Sequence, residues 1–295
     1  MKQNFDAYQF SDGQLVQVQQ KSLEMALYFR DFCQAHGLAF FLCGGCLIGG
    51  LREGGFIPWD DDVDVFMPRP DYERLGALWE EFADTSRYSF QAPTQDQCTH
   101  NLFQTVNDNH TTYIKQLQAD LDINHGIVLD ILPLDGCPSG KLPRMAQKLW
   151  AYLYSIYCAQ VVPQNHGQAV TLAGKLALGL VPSQKMRYRI WKFAEKRMSR
   201  WYFYDCEKIT ELCSGPGYMQ NEYPAVCFHT AGEVSFEGHI FPAPADSDQY
   251  LTMAFGDYMT PPPPEKQVCH HGLVWCDTNR PYTDYRGIYY YKTEE

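Results

Sequence analysis

The chain has 295 residues, enough for one large domain or a core domain with an elaborated second lobe. Apolar residues make up 45% and charged residues 20%, which excludes a collagen-like, coiled-coil or extensively disordered chain. The formal charge of −11, from 24 basic and 35 acidic side chains without a strong basic run, argues against wrapping a nucleic-acid backbone.

Between Leu15 and Cys33, residues Val18, Met25, Ala26, Phe29 and Phe32 recur at helical spacing, and Gly37 ends the predicted helix. Leu38–Cys43 reads as a buried strand and Gly44-Gly45 as a tight turn. Residues 46–53 read as a short helix stopped by Gly54-Gly55. The alternation in Asp62-Val63-Asp64-Val65-Phe66 predicts a strand with carboxylates on one face. Pro68 and Pro70 end it, and Asp71 is placed to cap a helix carrying Tyr72, Leu75, Leu78 and Trp79. Strands follow near 88–91, 102–106 and 112–114, then a buried strand over Gly126–Ile131 that stops at Pro133. Helices are expected over 144–160, 168–179 and 184–207, then short strands, a helix near 247–255 and a stiff spacer at Pro261–Pro264. The implied organisation is a core at 1–140 holding most of the chemistry, a helical insertion or subdomain at 141–215, and an α/β portion at 216–295.

Eleven cysteines occur without a basic and apolar leader in residues 1–30. The most apolar segment, Thr171–Val181, contains Lys175 and is too short to span a bilayer. The expectation is a reducing cytoplasm with mostly buried free thiols. Cys43-x-x-Cys46 crosses the glycine turn, where its thiols are expected to pack against the core.

The chemistry centres on Asp60-Asp61-Asp62-Val63-Asp64. Phe56, Ile57 and Trp59 before it and Val65, Phe66 and Met67 after it mark a partly buried segment, where uncompensated carboxylates are costly. A divalent cation, Mg²⁺ or Mn²⁺, resolves the conflict, because Asp62 and Asp64 share one face of a strand and offer hard oxygen ligands. A solvated acidic cluster is the alternative. Asp60 has the same parity; Asp61 is better suited to a turn or a supporting contact. Asp130 sits in the apolar run Ile127–Ile131 and is either a third carboxylate of the site or a cap for the following turn, which Asp135 also shapes. Gly44 and Gly45 can let backbone N–H groups approach phosphate oxygens, although no P-loop ending is present. Arg52 and Arg69 bracket the acids as phosphate ligands or as surface ion pairs.

Leu42 to Val65, with its Gly-Gly, Gly-Phe-Ile-Pro-Trp and acidic stretch, resembles the signature of the LicD family of phosphorylcholine-transferase-like proteins. Met67–Tyr72, Gly126–Asp135 and Phe255–Pro263 agree with it. The resemblance implies a nucleotidyltransferase-like α/β (α+β) fold, a mixed sheet flanked by helices. It implies Asp62 and Asp64 as the metal pair, Asp130 as the third acid, and Gly44 and Gly45 as a phosphate-facing turn, with glycine at 45 where many relatives carry a small hydroxyl residue. The implied activity is Mg²⁺-dependent transfer of a phosphorylated alcohol, typically phosphocholine from CDP-choline, to a sugar or lipid-linked glycan acceptor. Such an acceptor in lipopolysaccharide or teichoic acid would bring a cytoplasmic enzyme transiently to the inner membrane surface. A nucleotidyltransferase acting on a sugar or polyol phosphate and a non-catalytic metal- or glycan-binding protein are the alternatives.

For a choline group, Trp59, Tyr72, Tyr258 and Trp275 are candidate cage residues, with core packing as the simpler use of each. Cys269, His270, His271 and Cys276 have zinc-binding side chains, but their spacing fits no common closed site. His270 is alternatively a ligand for donor phosphate.

Overall fold

The computed structural model describes residues 8–161, 168–269 and 272–292. Helix α1 (Gln14–His36) leads to strand β1 (Phe41–Leu42), helix α2 (Gly44–Arg52), strand β2 (Val63–Pro68) and helix α3 (Arg69–Phe82). Two expectations change here. Gly44 and Gly45 form the first turn of α2 instead of a separate turn. Helix α3 starts two residues before Asp71, with Pro70 in the first turn, where a missing N–H is harmless. Asp71 consequently does not cap it; its carboxylate accepts the Ala39 N–H at 3.1 Å and the Arg74 guanidinium at 3.0 Å.

Strands β3 (Tyr88–Gln91), β4 (Gln104–Asp108), β5 (Thr112–Lys115) and β6 (Val128–Cys137) follow, then helices α4 (Lys141–Ala159), α5 (Gln168–Leu180) and α6 (Gln184–Met198). The chain returns through strands β7 (Lys208–Thr210), β8 (Tyr223–Pro224), β9 (Ala231–Phe236) and β10 (His239–Pro244), helix α7 (Ser247–Phe255) and strand β11 (Leu273–Asp277). Strand β6 runs through Pro133 instead of ending there. Its pairing with β4 finishes at Ile131 and its pairing with β7 begins at Asp135, so proline falls where that edge of β6 is open. Asp135 therefore lies within the strand, not in a turn. Helix α6 also stops short of its expected end, because the chain turns to run along β6. There the carbonyls of Trp201 and Tyr202 come within 2.7 and 2.9 Å of where a Cβ on Gly136 would stand.

One mixed sheet has the order β1-β2-β6-β4-β3, with β7 and β8 extending it along the far half of β6. The β2–β6 pair is parallel and its neighbours are antiparallel. Across the sheet, Asp64 opposes Asp130, Asp130 opposes Thr105, and Thr105 opposes Gln91. Directly opposed residues share a face, so these four side chains form one polar row over four strands. Val63, Val65, Leu129 and Ile131 alternate with the acids and are buried.

Phe29 and Phe32 of α1 pack on Trp79 of α3 within the main core. Helices α4 and α6 enclose a second, smaller core that includes Tyr154, Trp191, Met198 and Leu212. The helical insertion is joined to the sheet by a buried ion pair. Arg69 donates to both oxygens of Asp135 at 2.7 Å each and also reaches Glu195 of α6 at 3.7 Å. Among the described residues, no helix is long and apolar enough to cross a membrane.

Leaving one member of a desolvated ion pair uncompensated is strongly destabilising. Arg69→Met alone or Asp135→Leu alone should each lower the unfolding free energy by about 3–5 kcal/mol in urea titrations. The double variant Arg69→Met/Asp135→Leu should recover most of that loss.

Candidate active site

The acidic segment is held from both sides. Gln19 of α1 donates to the carbonyl of Asp60 at 2.8 Å, and the Asp60 N–H closes a turn onto Ile57 at 2.9 Å. Beyond it, the Cys43 N–H reaches the Asp64 carbonyl at 3.2 Å, and the Cys46 thiol lies 3.5 Å from the Asp62 carbonyl. Burial is the first cause, with nearby carboxylates second, of pKa values raised far above the usual thiol range at both cysteines. All eleven cysteines are free, and eight of them are buried.

Asp62 stands just before β2 and Asp64 within it. Together with Asp130 of β6 they each offer a carboxylate oxygen, and the three oxygens lie within 4.8 Å of one another. Asp60, Asp61 and Asp62 form a second group by the same measure. Asp130 Oδ1 is buried and has no hydrogen-bond partner. An unsatisfied buried carboxylate oxygen is expensive, and beside two more carboxylates it is more so. Three converging hard oxygen donors, one with open coordinating capacity, fit a small divalent cation.

A residue not singled out from the sequence completes the charge pattern. Lys115, at the end of β5, brings its ammonium to 3.5 Å from Asp130 Oδ2. Burial alone would lower its pKa, but the surrounding acids, Asp130 foremost, outweigh burial and raise it. Two residues earlier, Tyr113 donates to Asp61 Oδ2, which also accepts the Cys269 thiol at 2.8 Å. Asp61 thus holds β5 and the C-terminal segment beside the acids. The signal for both was the period-two pattern Tyr113-Ile114-Lys115, in which an ionisable residue shares a face with a tyrosine.

Helix α2 presents its N-terminus to the same cluster. Gly44 has a φ of 52°, and a Cβ there would lie 3.7 Å from Asp64 Oδ2. A Cβ on Gly45 would collide with the carboxylate of Asp60. The two glycines therefore let a helix end, with its N–H groups and positive dipole, lie against the acids. Behind this turn, the Gly44 N–H donates to the hydroxyl of buried Tyr250 at 3.3 Å. Tyr250 packs on Tyr223, which donates to Glu211. Burial pushes the Glu211 carboxyl up to about 7, against the opposing effect of its hydrogen bonds.

The other residues predicted for the site lie elsewhere. Arg52 is at the far end of α2, about 12 Å from Gly44 at the helical rise per residue. Its guanidinium binds Glu53 at 2.8 Å and the Tyr258 carbonyl at 2.9 Å, with Nη2 buried and unpaired. Arg69 is committed to Asp135 in the interior. Tyr72 is buried beneath Arg69, and Trp275 stacks on Tyr289 at 4.4 Å, whereas Trp59 and Tyr258 are half-buried against the main core. His270 and His271 fall outside the described residues, so the suggested zinc group is represented only by Cys269 and Cys276.

Comparison with known proteins agrees with this geometry. Residues 37–124 match the family model described as LicD/FKTN/FKRP, nucleotidyltransferase domain, a span that contains Gly44, the acidic segment and Lys115. The chain is 28% identical over 258 residues to the lipopolysaccharide cholinephosphotransferase LicD of Haemophilus influenzae, covering 83% of this chain and 91% of that protein. It is 25% identical over 160 residues to mannosyltransferase regulator 4 of Saccharomyces cerevisiae, covering 52% of this chain and 13% of that protein.

Glu211 gives the site region a defined pH response. Its folded pKa of about 7 lies above the ordinary value of 4.5, so the fold favours the neutral acid. That contribution is complete below about 4.5 and is lost as pH rises through about 7. Urea titrations at stepped pH should therefore show the unmodified chain losing stability relative to Glu211→Gln across this window.

Proposed function

From the LicD-type nucleotidyltransferase domain that this chain carries, we propose a metal-dependent phosphotransferase that moves a phosphorylated alcohol from a CDP-linked donor to a cell-surface glycan. Phosphocholine is the first group to test, because the bacterial relative matched over most of both chains is a cholinephosphotransferase acting on lipopolysaccharide. The observation that carries the reading is the convergence of Asp62, Asp64 and Asp130, whose buried Oδ1 has no partner, beside the α2 N-terminus.

Asp62, Asp64 and Asp130 would hold Mg²⁺ or Mn²⁺. Bound there, the ion supplies neutralisation of the charge on the donor phosphates. Gly44 and Gly45 bring the N-terminus of α2 to the phosphates, and Lys115 adds a fixed positive charge beside Asp130. The acceptor hydroxyl forms the new O–P bond as the bond to CMP breaks, and CMP departs with the electron pair. The hydroxyl proton passes to one of the cluster carboxylates, Asp60 included. Trp59 and Tyr258, the two half-buried rings among the four aromatic candidates that lie against the main core, are the ones to test for recognition of a quaternary ammonium. The reaction is assigned to the cytoplasmic face of the membrane.

Incubation of the chain with Mg²⁺, a glycan acceptor and a panel of CDP-alcohols should release CMP. Pyrophosphate release from nucleoside triphosphates would instead assign a nucleotidyltransferase, and no turnover with any donor would leave a binding protein. Asp62→Asn and Asp64→Asn should each lower turnover by roughly a thousandfold, the equivalent of several kcal/mol of barrier, with unchanged circular dichroism. Lys115→Met should reduce turnover less severely, and should also lower stability in urea titrations, because it leaves Asp130 without its cation. Near-normal activity in both Asp variants at saturating Mg²⁺ would refute the assignment.

A further inference from the structure

Charge is divided unevenly along the chain. Residues 141–200 carry eleven of the 24 Lys and Arg side chains and only one of the 35 acids, Glu195. The basic residues are dispersed over three helices, so they form no run in the sequence. Glu195 does not offset them at the surface, because it is turned toward Arg69 and bound by Lys192 at 2.7 Å. A protein of net charge −11 thus holds a helical insertion with an excess of ten positive charges, of which only Arg144 is buried, paired with Glu222 at 3.2 Å.

The same helices expose apolar side chains in register. On α4, Leu142, Met145 and Leu149 follow one face, and Leu142 is 78% exposed. On α5, Leu172, Leu176 and Leu180 recur every fourth residue, and Leu180 is 80% exposed. On α6, Met186 and Phe193 are exposed among Lys185, Arg189, Lys196 and Arg197. The faces of α4 and α6 are joined: Trp150 packs edge-on against Phe193 at 5.4 Å and lies beneath Arg197 at 5.9 Å. Helix α5 is tied to them by Tyr157, which donates to the Ala177 carbonyl, and by Arg187, which donates to the carbonyls of Leu178 and Val181.

We infer that this face of the helical insertion docks on an anionic lipid bilayer. Exposed leucines flanked by Lys and Arg suit the headgroup boundary, where the apolar side chains enter the acyl region and the cations meet lipid phosphates. A second copy of the chain fits less well, since a twofold contact would set the same positive face against itself. The inference stands independently of the donor and acceptor proposed above, because it rests on surface charge and exposure alone.

The test is cosedimentation of the full chain with vesicles of phosphatidylcholine containing phosphatidylglycerol, against phosphatidylcholine alone. The chain should bind the anionic vesicles and weaken as salt is raised. The charge-reversed variant Lys185→Glu/Arg189→Glu/Lys196→Glu and the polar variant Leu142→Ser/Leu149→Ser/Leu180→Ser should each bind at least about tenfold more weakly. All six positions are exposed, so unchanged circular dichroism and thermal midpoint are expected of both. Equal recovery with neutral and anionic vesicles, or full binding by either variant, overturns the proposal. So does a concentration-dependent dimer that both variants abolish without any vesicle binding, which would assign the face to self-association.

Discussion

The site depends on one pairing: parallel β2 against β6 in the register that sets Asp64 opposite Asp130. A slip of one residue would turn Asp130 into the core, and a slip of two would carry it about 7 Å along the strand. The acids cannot maintain this register themselves, since they repel. It is maintained from the opposite face, where Val63, Val65, Leu129 and Ile131 are buried. Apolar packing therefore imposes an electrostatically unfavourable arrangement, which Lys115, the α2 N-terminus and a cation can then relieve.

The helical insertion answers to a different balance. Its own small core and the Arg69–Asp135–Glu195 contact attach it firmly to the sheet. The acidic core and the basic insertion are consequently held in one fixed relation by a contact that hides a positive charge inside. An anionic surface is attracted by the insertion and repelled by the rest of the chain, so the molecule can orient without the net charge being favourable.

Much of the site was legible because its constraints are local. Asp62 and Asp64 share a strand face, glycines precede a helix, and Asp130 stands alone in an apolar run. The rest depends on partners distant in sequence. Arg69 looked like a phosphate ligand because nothing nearby announced Asp135 in the interior. Asp135 looked like a turn residue because Pro133 reads as a strand end, and only the order in which β4 and β7 pair with β6 makes proline acceptable there. Lys115 closes on Asp130 only after β5 has crossed toward the acids. The positive charge of the insertion forms no run because its Lys and Arg side chains are spread over sixty positions, and only the folding of three helices brings them into one subdomain.

The absence of a side chain at Gly45 sets where the Asp60 carboxylate lies over the start of α2. The Asp60 carboxylate occupies the volume that any side chain at position 45 would need. The blocking atoms are the end of a side chain, so a residue at 45 could enter as that carboxylate swings aside. A hydroxyl side chain at 45, as the family resemblance suggests for relatives, calls for the carboxylate at 60 to take another rotamer. Glycine at 45 therefore decides where the Asp60 carboxylate rests, not whether position 60 can carry an acid.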